Sequence, residues 1–245
     1  MVAGGMDMRM VQKFGGTSLA DPRRLRRAAQ IAAEAAQHGQ VAVVVSAQGD
    51  TTDRLIAQAA EVSPGPAARE LDTLLSAGEQ MSAALLAMTL AERGTAARSL
   101  VGWQAGIHTD GCFGSAQITD IDPRRVLQIL SEGVIPVVAG FQGICGGEIT
   151  TLGRGGSDTT AVALAIALGA DVCRIYTDVD GVYDRDPRQH PDARRYARIG
   201  YGEMLALARS GAQVLHPRCV ELAQAHGMPL EVRSTFTDGP GTLVT

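Results

Sequence analysis

Val41-Ala-Val-Val-Val45 is an uninterrupted apolar run, β-branched at nearly every place. A strand with no polar face needs packing on both sides, as in a central strand of a parallel sheet covered by helices. Met8–Phe14, Ala97–Val101, Ile135–Ala139, Cys173–Thr177 and, last, Leu230–Ser234 read as further strands. Helices are expected between them. Asp21 at N-cap and Pro22 at N1 start one that runs to about His38 and stops at Gly39. Leu55–Glu61 is broken by Ser63-Pro-Gly-Pro66, and Ala67–Arg93 ends at Gly94 with Gly78 inside it. Asp122-Pro123 repeats the helix start and Gly133 the stop, while Gly169 closes Thr159–Leu168. Gly202–Ser210 and Pro217–His226 are the last helices, and 102–121 is a glycine-rich excursion or hairpin. The alternation predicts an α/β fold with a largely parallel sheet, undivided by any linker.

Composition narrows the functions. The 245 residues, 45% hydrophobic, can build one large α/β domain or two coupled lobes. A net charge of −4 without a basic patch, and 4% aromatic content, argue against nucleic-acid binding. Cys112, Cys145, Cys173 and Cys219 form no C-x-x-C pair and no zinc-ligand spacing, so buried or half-buried free thiols in a reducing compartment are expected. Residues 1–7 are expected to be a flexible N-terminus without a leader's apolar region, and no apolar run has membrane-spanning length. A soluble, cytoplasmic protein is expected, with no membrane partner.

The chemistry gathers at strand ends. Thr150-Thr-Leu-Gly-Arg-Gly-Gly-Ser-Asp158 is a glycine loop bearing one arginine that opens onto a helix. Free backbone N–H groups and the positive end of the helix dipole favour an anion there, and Arg154 adds a planar cationic fork. A helix capped at Ser157 behind a solvated Arg154 is the plainer alternative. Lys13 and Gly15-Gly16 lie on a second loop, Ser46 and Thr51-Thr52-Asp53 on a third, and Thr177-Asp178 through Arg188 on a fourth. Neither G-x-G-x-x-G after the first strand nor Walker A is present, which weakens a nicotinamide reading. Two glycine loops, a lysine and an arginine suit a triphosphate, because phosphoryl transfer asks for cations, backbone donors and a metal.

The strings K-F-G-G-T-S, S-A-Q-G-D-T-T-D, L-L-S-A-G-E, V-A-G-F-Q-G, T-T-L-G-R-G-G-S-D-T-T-A, Y-T-D-V-D-G-V-Y-D-R-D-P-R and L-H-P follow one another between Val11 and Leu243. In that order they resemble the aspartokinases of the amino acid kinase family. The resemblance implies a single catalytic domain over 8–245, a mainly parallel sheet sandwiched between helices in three α/β/α layers. Its acceptor lobe would span about 8–148 and its nucleotide lobe about 149–245. It implies ATP, Mg²⁺, and transfer of the γ-phosphoryl group to the side-chain carboxylate of L-aspartate. By the matching motifs, Lys13 would neutralise the moving phosphoryl group and Gly15 and Gly16 would donate N–H groups to it. Asp158 would orient the lysine or the metal's waters. Ser46, Thr52, Asp53, Glu79, Arg154 and Ser157 would hold aspartate, with Arg154 on a carboxylate and Glu79 on the α-ammonium or on a group that positions it. Thr177, Asp178, Tyr183, Arg188 and Gln213 would border the nucleotide, and no protein metal ligand is assigned.

Two departures accompany the resemblance. Gln213 stands where many relatives have a lysine that reaches the nucleotide, and Gln213→Lys is expected to leave activity intact. The regulatory ACT region of typical aspartokinases would begin where this sequence ends, so inhibition by lysine or threonine is not expected within it. Self-association as a dimer, or association with a separate regulatory subunit, is expected. The alternatives are the same chemistry on another acid, or a non-catalytic subunit. Asp178, Asp180, Asp184 and Asp186 read as turn residues rather than a metal cluster, and His216 as a helix start.

Overall fold

A computed structural model describes residues 8–187, 189–190, 192–210 and 214–245. The expectations for residues 1–7, Arg188 and Gln213 therefore lie outside the described residues. In chain order the elements begin β1 (Met8–Phe14), α1 (Gly16–Leu19), α2 (Pro22–Ala36), β2 (Gly39–Val45), α3 (Thr51–Val62), α4 (Ala68–Glu92) and β3 (Ala97–Leu100). They continue β4 (Ile107–Thr109), β5 (Ile118–Ile121), α5 (Arg124–Ser131), β6 (Ile135–Ala139), β7 (Gln142–Cys145), β8 (Glu148–Thr151) and α6 (Gly156–Ala167). Last come β9 (Val172–Thr177), β10 (Arg198–Ile199), α7 (Tyr201–Arg209), α8 (Pro217–His226), β11 (Leu230–Ser234) and β12 (Thr242–Val244).

The main sheet has the order β10-β12-β11-β9-β1-β2-β6-β3, parallel throughout except where β12 runs against β11. The Val41–Val45 run lies in its middle and is buried on both faces. Val11, Val44, Val138, Ile175 and Val232 meet α5, α6, α7 and α8 on one side. Met10, Phe14, Val43, Val45 and Val137 meet α1, α2 and α4 on the other. Each such valine contributes about 1.5–3 kcal/mol relative to exposure, which is why the run fixes the three layers. A smaller sheet, β5-β4-β7-β8, stands beside the carboxyl ends of the main strands.

Several boundaries differ from the sequence reading. Gly39 opens β2 instead of only stopping α2, whose C-cap is Gln37. Asp21 caps α2 as expected, its carboxylate accepting from Arg24 N at 2.9 Å. The Asp122-Pro123 pair starts a helix whose N-cap is Pro123. Gly16–Leu19 is the single helical turn α1, and Thr51-Thr52-Asp53 is the first turn of α3, where the sequence pattern suggests loops. Gln142 and Thr150-Thr151, also read as loop, pair across the β7–β8 hairpin. Leu230–Ser234 is not the last strand, since β12 follows and pairs with β10. Cys173 and Cys219 are buried and Cys145 half-buried, but Cys112 is exposed.

Among the described residues, α4 alone has the length and composition to cross a membrane. It buries Asp72, Glu79 and three serine or glycine neighbours along its inner side and packs against α2, β3 and β8, as a core helix does.

Candidate active site

The parallel ladder continues past the strand ends and ties the loops together. Ser46 N donates to Phe14 O, Gly15 N to Tyr176 O, Gly140 N to Val45 O and Gly49 N to Gly16 O, all at 3.0–3.2 Å. Loops that follow β1, β2, β6 and β9 are thereby held along one edge, the carboxyl edge where open α/β sheets bind ligands. A cleft of about 750 Å³ opens there. It is lined by Lys13, Gly16, Ser46, Thr52, Asp53, Glu79, Arg154, Ser157 and Asp158, all expected from the sequence, together with Asp72, Phe141 and others. Gly15 lies directly beneath Lys13 Nζ without lining the cleft.

Strand alternation explains how Lys13 arrives. Val11 and Lys13 share the face of β1 that meets α6, so the lysine side chain runs toward the helix's first turn. Its Nζ lies 2.7 Å from Asp158 Oδ1, and both side chains are nearly covered. The N-cap of α6 is Gly155, which is left-handed (φ 70°, ψ 11°), and no side chain caps the helix. Its open N–H groups therefore face the cleft beside the ion pair. Ser157 sits within the first turn and is not the cap. A Cβ at Gly155 would overlap the His216 ring, so the chain needs glycine there for both space and conformation. His216 itself caps α8, its Nδ1 accepting from Arg218 N, as expected of a helix start.

Glu79 is 3% exposed. Its Oε1 accepts from Ala47 N at 2.9 Å, while Oε2 is buried with no hydrogen-bond partner. Burial pushes the carboxyl up to about 7, against the opposing pull of the Ala47 N–H and the Lys13 charge. Gly78 makes the contact feasible: a Cβ there would lie 2.8 Å from Ala47 Cβ, so only glycine lets α4 come this close to the loop after β2. The interior glycine has a packing reason. Arg154 is exposed and forms no hydrogen bond or ion pair among the described residues.

Thr177, Asp178 and Tyr183 do not line the cleft. Thr177 ends β9, next to β1, and the other two follow it, with Thr177 Oγ1 3.1 Å from Asp178 Oδ1 and Tyr183 OH donating to Asp180 Oδ1 at 2.8 Å. Among the described residues, no three His, Cys, Asp or Glu side chains gather to hold a metal ion. A divalent ion carried by phosphate oxygens and water needs no such cage, and Lys13 with the uncapped N-terminus of α6 supplies donors suited to phosphate oxygens.

Asp72 and Phe141 in the cleft, and Arg218 outside its lining, escaped the sequence reading. Asp72 is 1% exposed and binds Thr151 and Gly114, but a lone acid in a helix reads as solvated. Its spacing of seven from Glu79, which returns it to the same helix face, was the available signal. Phe141 has φ 69°, a conformation that costs a non-glycine residue about 1–2 kcal/mol. Arg218 reaches from α8 to Leu152 O at 2.8 Å.

Residues 8–234 match the profile of the amino acid kinase family. The aspartokinase of Geobacillus stearothermophilus is 56% identical over 237 residues, covering 96% of this chain and 58% of that protein. The crystal structure of aspartate kinase from Synechocystis aligns with a TM-score of 0.86 at 52% identity, covering 96% of this chain and 40% of that one. E. coli aspartokinase III in complex with aspartate and ADP aligns with a TM-score of 0.86 at 31% identity, covering 96% and 64%. The chain spans just over half the length of the curated relatives it matches.

Proposed function

Because this chain belongs to the amino acid kinase family, we propose that it transfers the γ-phosphoryl group of ATP to the side-chain carboxylate of L-aspartate, giving 4-phospho-L-aspartate and ADP. The observation that carries this reading is the Lys13–Asp158 ion pair at 2.7 Å, set between the N-termini of α1 and α6 in a cleft that also holds Glu79 and Arg154. The aspartokinases similar to this chain, one of them solved with aspartate and ADP, support the choice of acceptor.

Lys13, held by Asp158, stabilises negative charge on the phosphoryl oxygens during in-line transfer. Gly16 offers a backbone N–H group beside it, whereas the Gly15 N–H, expected to do the same, is already donated to Tyr176 O. Arg154 pairs with an acceptor carboxylate as a planar fork, and Ser46, Thr52, Asp53 and Ser157 complete its surroundings. Glu79 receives the acceptor's ammonium on Oε2, which otherwise has no partner. Thr177, Asp178 and Tyr183 border the nucleotide. Mg²⁺, when bound, supplies neutralising charge on the phosphates. The attacking carboxylate is ionised at neutral pH, so no general base is required. Residues 8–148 then form the acceptor side and 149–245 the nucleotide side. The free thiols suit a reducing, cytoplasmic setting. Dimerisation belongs to the same reading, supported by exposed Val62, Met81, Leu85 and Met88 on α3 and α4.

The test is acceptor-dependent ADP release with ATP and Mg²⁺. L-aspartate is expected to drive it and L-glutamate to fail. Release with glutamate alone would discard the acceptor, and release with neither would discard the kinase reading.

A further inference from the structure

Two backbone segments border the cleft beside Arg154: 114–116, from the turn between β4 and β5, and 151–152, leading out of β8. They are joined by Ala116 N donating to Thr151 O at 2.9 Å. Two charged side chains from different helices then hold the same pair of segments. From α4, Asp72 Oδ2 accepts from Gly114 N at 2.9 Å and Thr151 N at 2.7 Å, and its Oδ1 accepts from Thr151 Oγ1 at 2.7 Å. From α8, Arg218 donates to Leu152 O at 2.8 Å and to Ala116 O at 3.4 Å.

The arrangement is complementary. The acid takes N–H groups of the two segments and the guanidinium gives to their carbonyls, so each segment is bound by both charges. Charge-assisted bonds of this kind are the stronger ones, and Asp72 is buried, where an unpaired carboxylate is costly. Both Asp72 oxygens are already engaged, so the residue is not free to take a ligand's ammonium as Glu79 is. Arg154 follows Leu152 by two residues and has no partner of its own among the described residues. The point from which its side chain reaches into the cleft is set by this backbone.

We propose that Asp72 and Arg218 are positioning residues that fix the Arg154 loop and the Gly114 turn around the acceptor, and so set acceptor affinity. This rests on the reading of the cleft as a carboxylate-acceptor site.

The experiment compares the 245-residue chain with Asp72→Asn, Arg218→Gln, Arg218→Lys and the Asp72→Asn/Arg218→Gln double variant. It reads KM for L-aspartate, KM for ATP, kcat, and amide exchange at Gly114 and Thr151. Either single loss is expected to raise KM for aspartate on the order of tenfold to a hundredfold, since small misplacements of an orienting group have effects of that size. KM for ATP is expected to stay within about twofold. Arg218→Lys keeps one charged donor and is expected to recover part of the loss. The double variant is expected to lose less than the product of the single losses, because both residues hold the same segments.

Unchanged KM for aspartate, or parallel rises in both KM values, would overturn the proposal. Should Asp72→Asn not fold, the two Arg218 variants decide by the same criterion. If the unaltered chain does not turn over L-aspartate, it is the functional reading that fails. The positioning role is then judged on exchange: faster exchange at Gly114 and Thr151 in the variants supports it, and unchanged exchange overturns it.

Discussion

Lys13 and Glu79 stand in the cleft with different neighbours. Lys13 is kept in place by Asp158 at 2.7 Å, so its ammonium is oriented before any ligand arrives. Lys13→Ala removes that charge from a side chain at the end of a well-packed strand. Turnover is expected to fall on the order of a thousandfold or more while the circular dichroism spectrum is kept. Near-normal turnover would mean that another group carries the charge. Glu79 is the opposite case, a carboxyl whose burial holds it at about 7. Its neutral form cannot receive an ammonium, so kcat/KM for aspartate is expected to fall about tenfold per pH unit below about 7. Glu79→Gln is expected to lower kcat/KM and erase that limb; a limb unchanged in the variant would assign it elsewhere. The same carboxyl sets a stability trend of defined sign. Its folded value lies above the ordinary 4.5, so the folded state holds the proton more tightly. The contribution of this carboxyl to stability is full below about 4.5 and declines as pH rises through about 7, by about 3 kcal/mol in total. Chemical unfolding at pH 4.5 and 7.5 checks this, and Glu79→Gln is expected to flatten the difference.

At the level of elements, the close approach of α4 to the loop after β2 is what brings Glu79 to Ala47 N. Gly78→Ala places a methyl 2.8 Å from Ala47 Cβ. Overpacking of this kind costs about 1–3 kcal/mol, which offsets the ~1 kcal/mol that alanine adds to a helix. A raised KM for aspartate and no gain in Tm are expected; a stabilised variant with unchanged KM would show that the approach is slack. The long elements were legible in the sequence for physical reasons. Val41–Val45 could be satisfied only between two layers, and Asp21-Pro22 carries its own cap. Strands β7, β8, β10 and β12 were missed because they are two to four residues long and partly polar. Their partners are chosen by the tertiary fold, so little local pattern marks them. Thr51–Asp53 reads as loop because its polar residues continue the Ser46–Asp50 segment, and the apolar helical pattern begins only at Leu55. The site divided similarly. Glycine-framed residues such as Lys13, Glu79 and Arg154 stood out, whereas Asp72 and Arg218 act on backbone atoms far away in sequence.

For the molecule as a whole, one sheet runs through both proposed sides, and the core on each face includes residues of β1, β2 and β6 together with β9. The two sides are therefore expected to unfold together. Far-ultraviolet circular dichroism, which reports all strands and helices, and fluorescence of Trp103, the single tryptophan, are expected to give coincident transitions. Separate transitions would mean that the acceptor and nucleotide sides are independent units. The central claim is chemical, and product identity tests it most directly. The chain is incubated with ATP, Mg²⁺ and L-aspartate in the presence of hydroxylamine, which traps an acyl phosphate as its hydroxamate. Aspartate hydroxamate is expected, formed in step with ADP and absent when ATP or the enzyme is omitted. ADP release without hydroxamate would contradict transfer to a carboxylate, and hydroxamate only with another acid would contradict the acceptor.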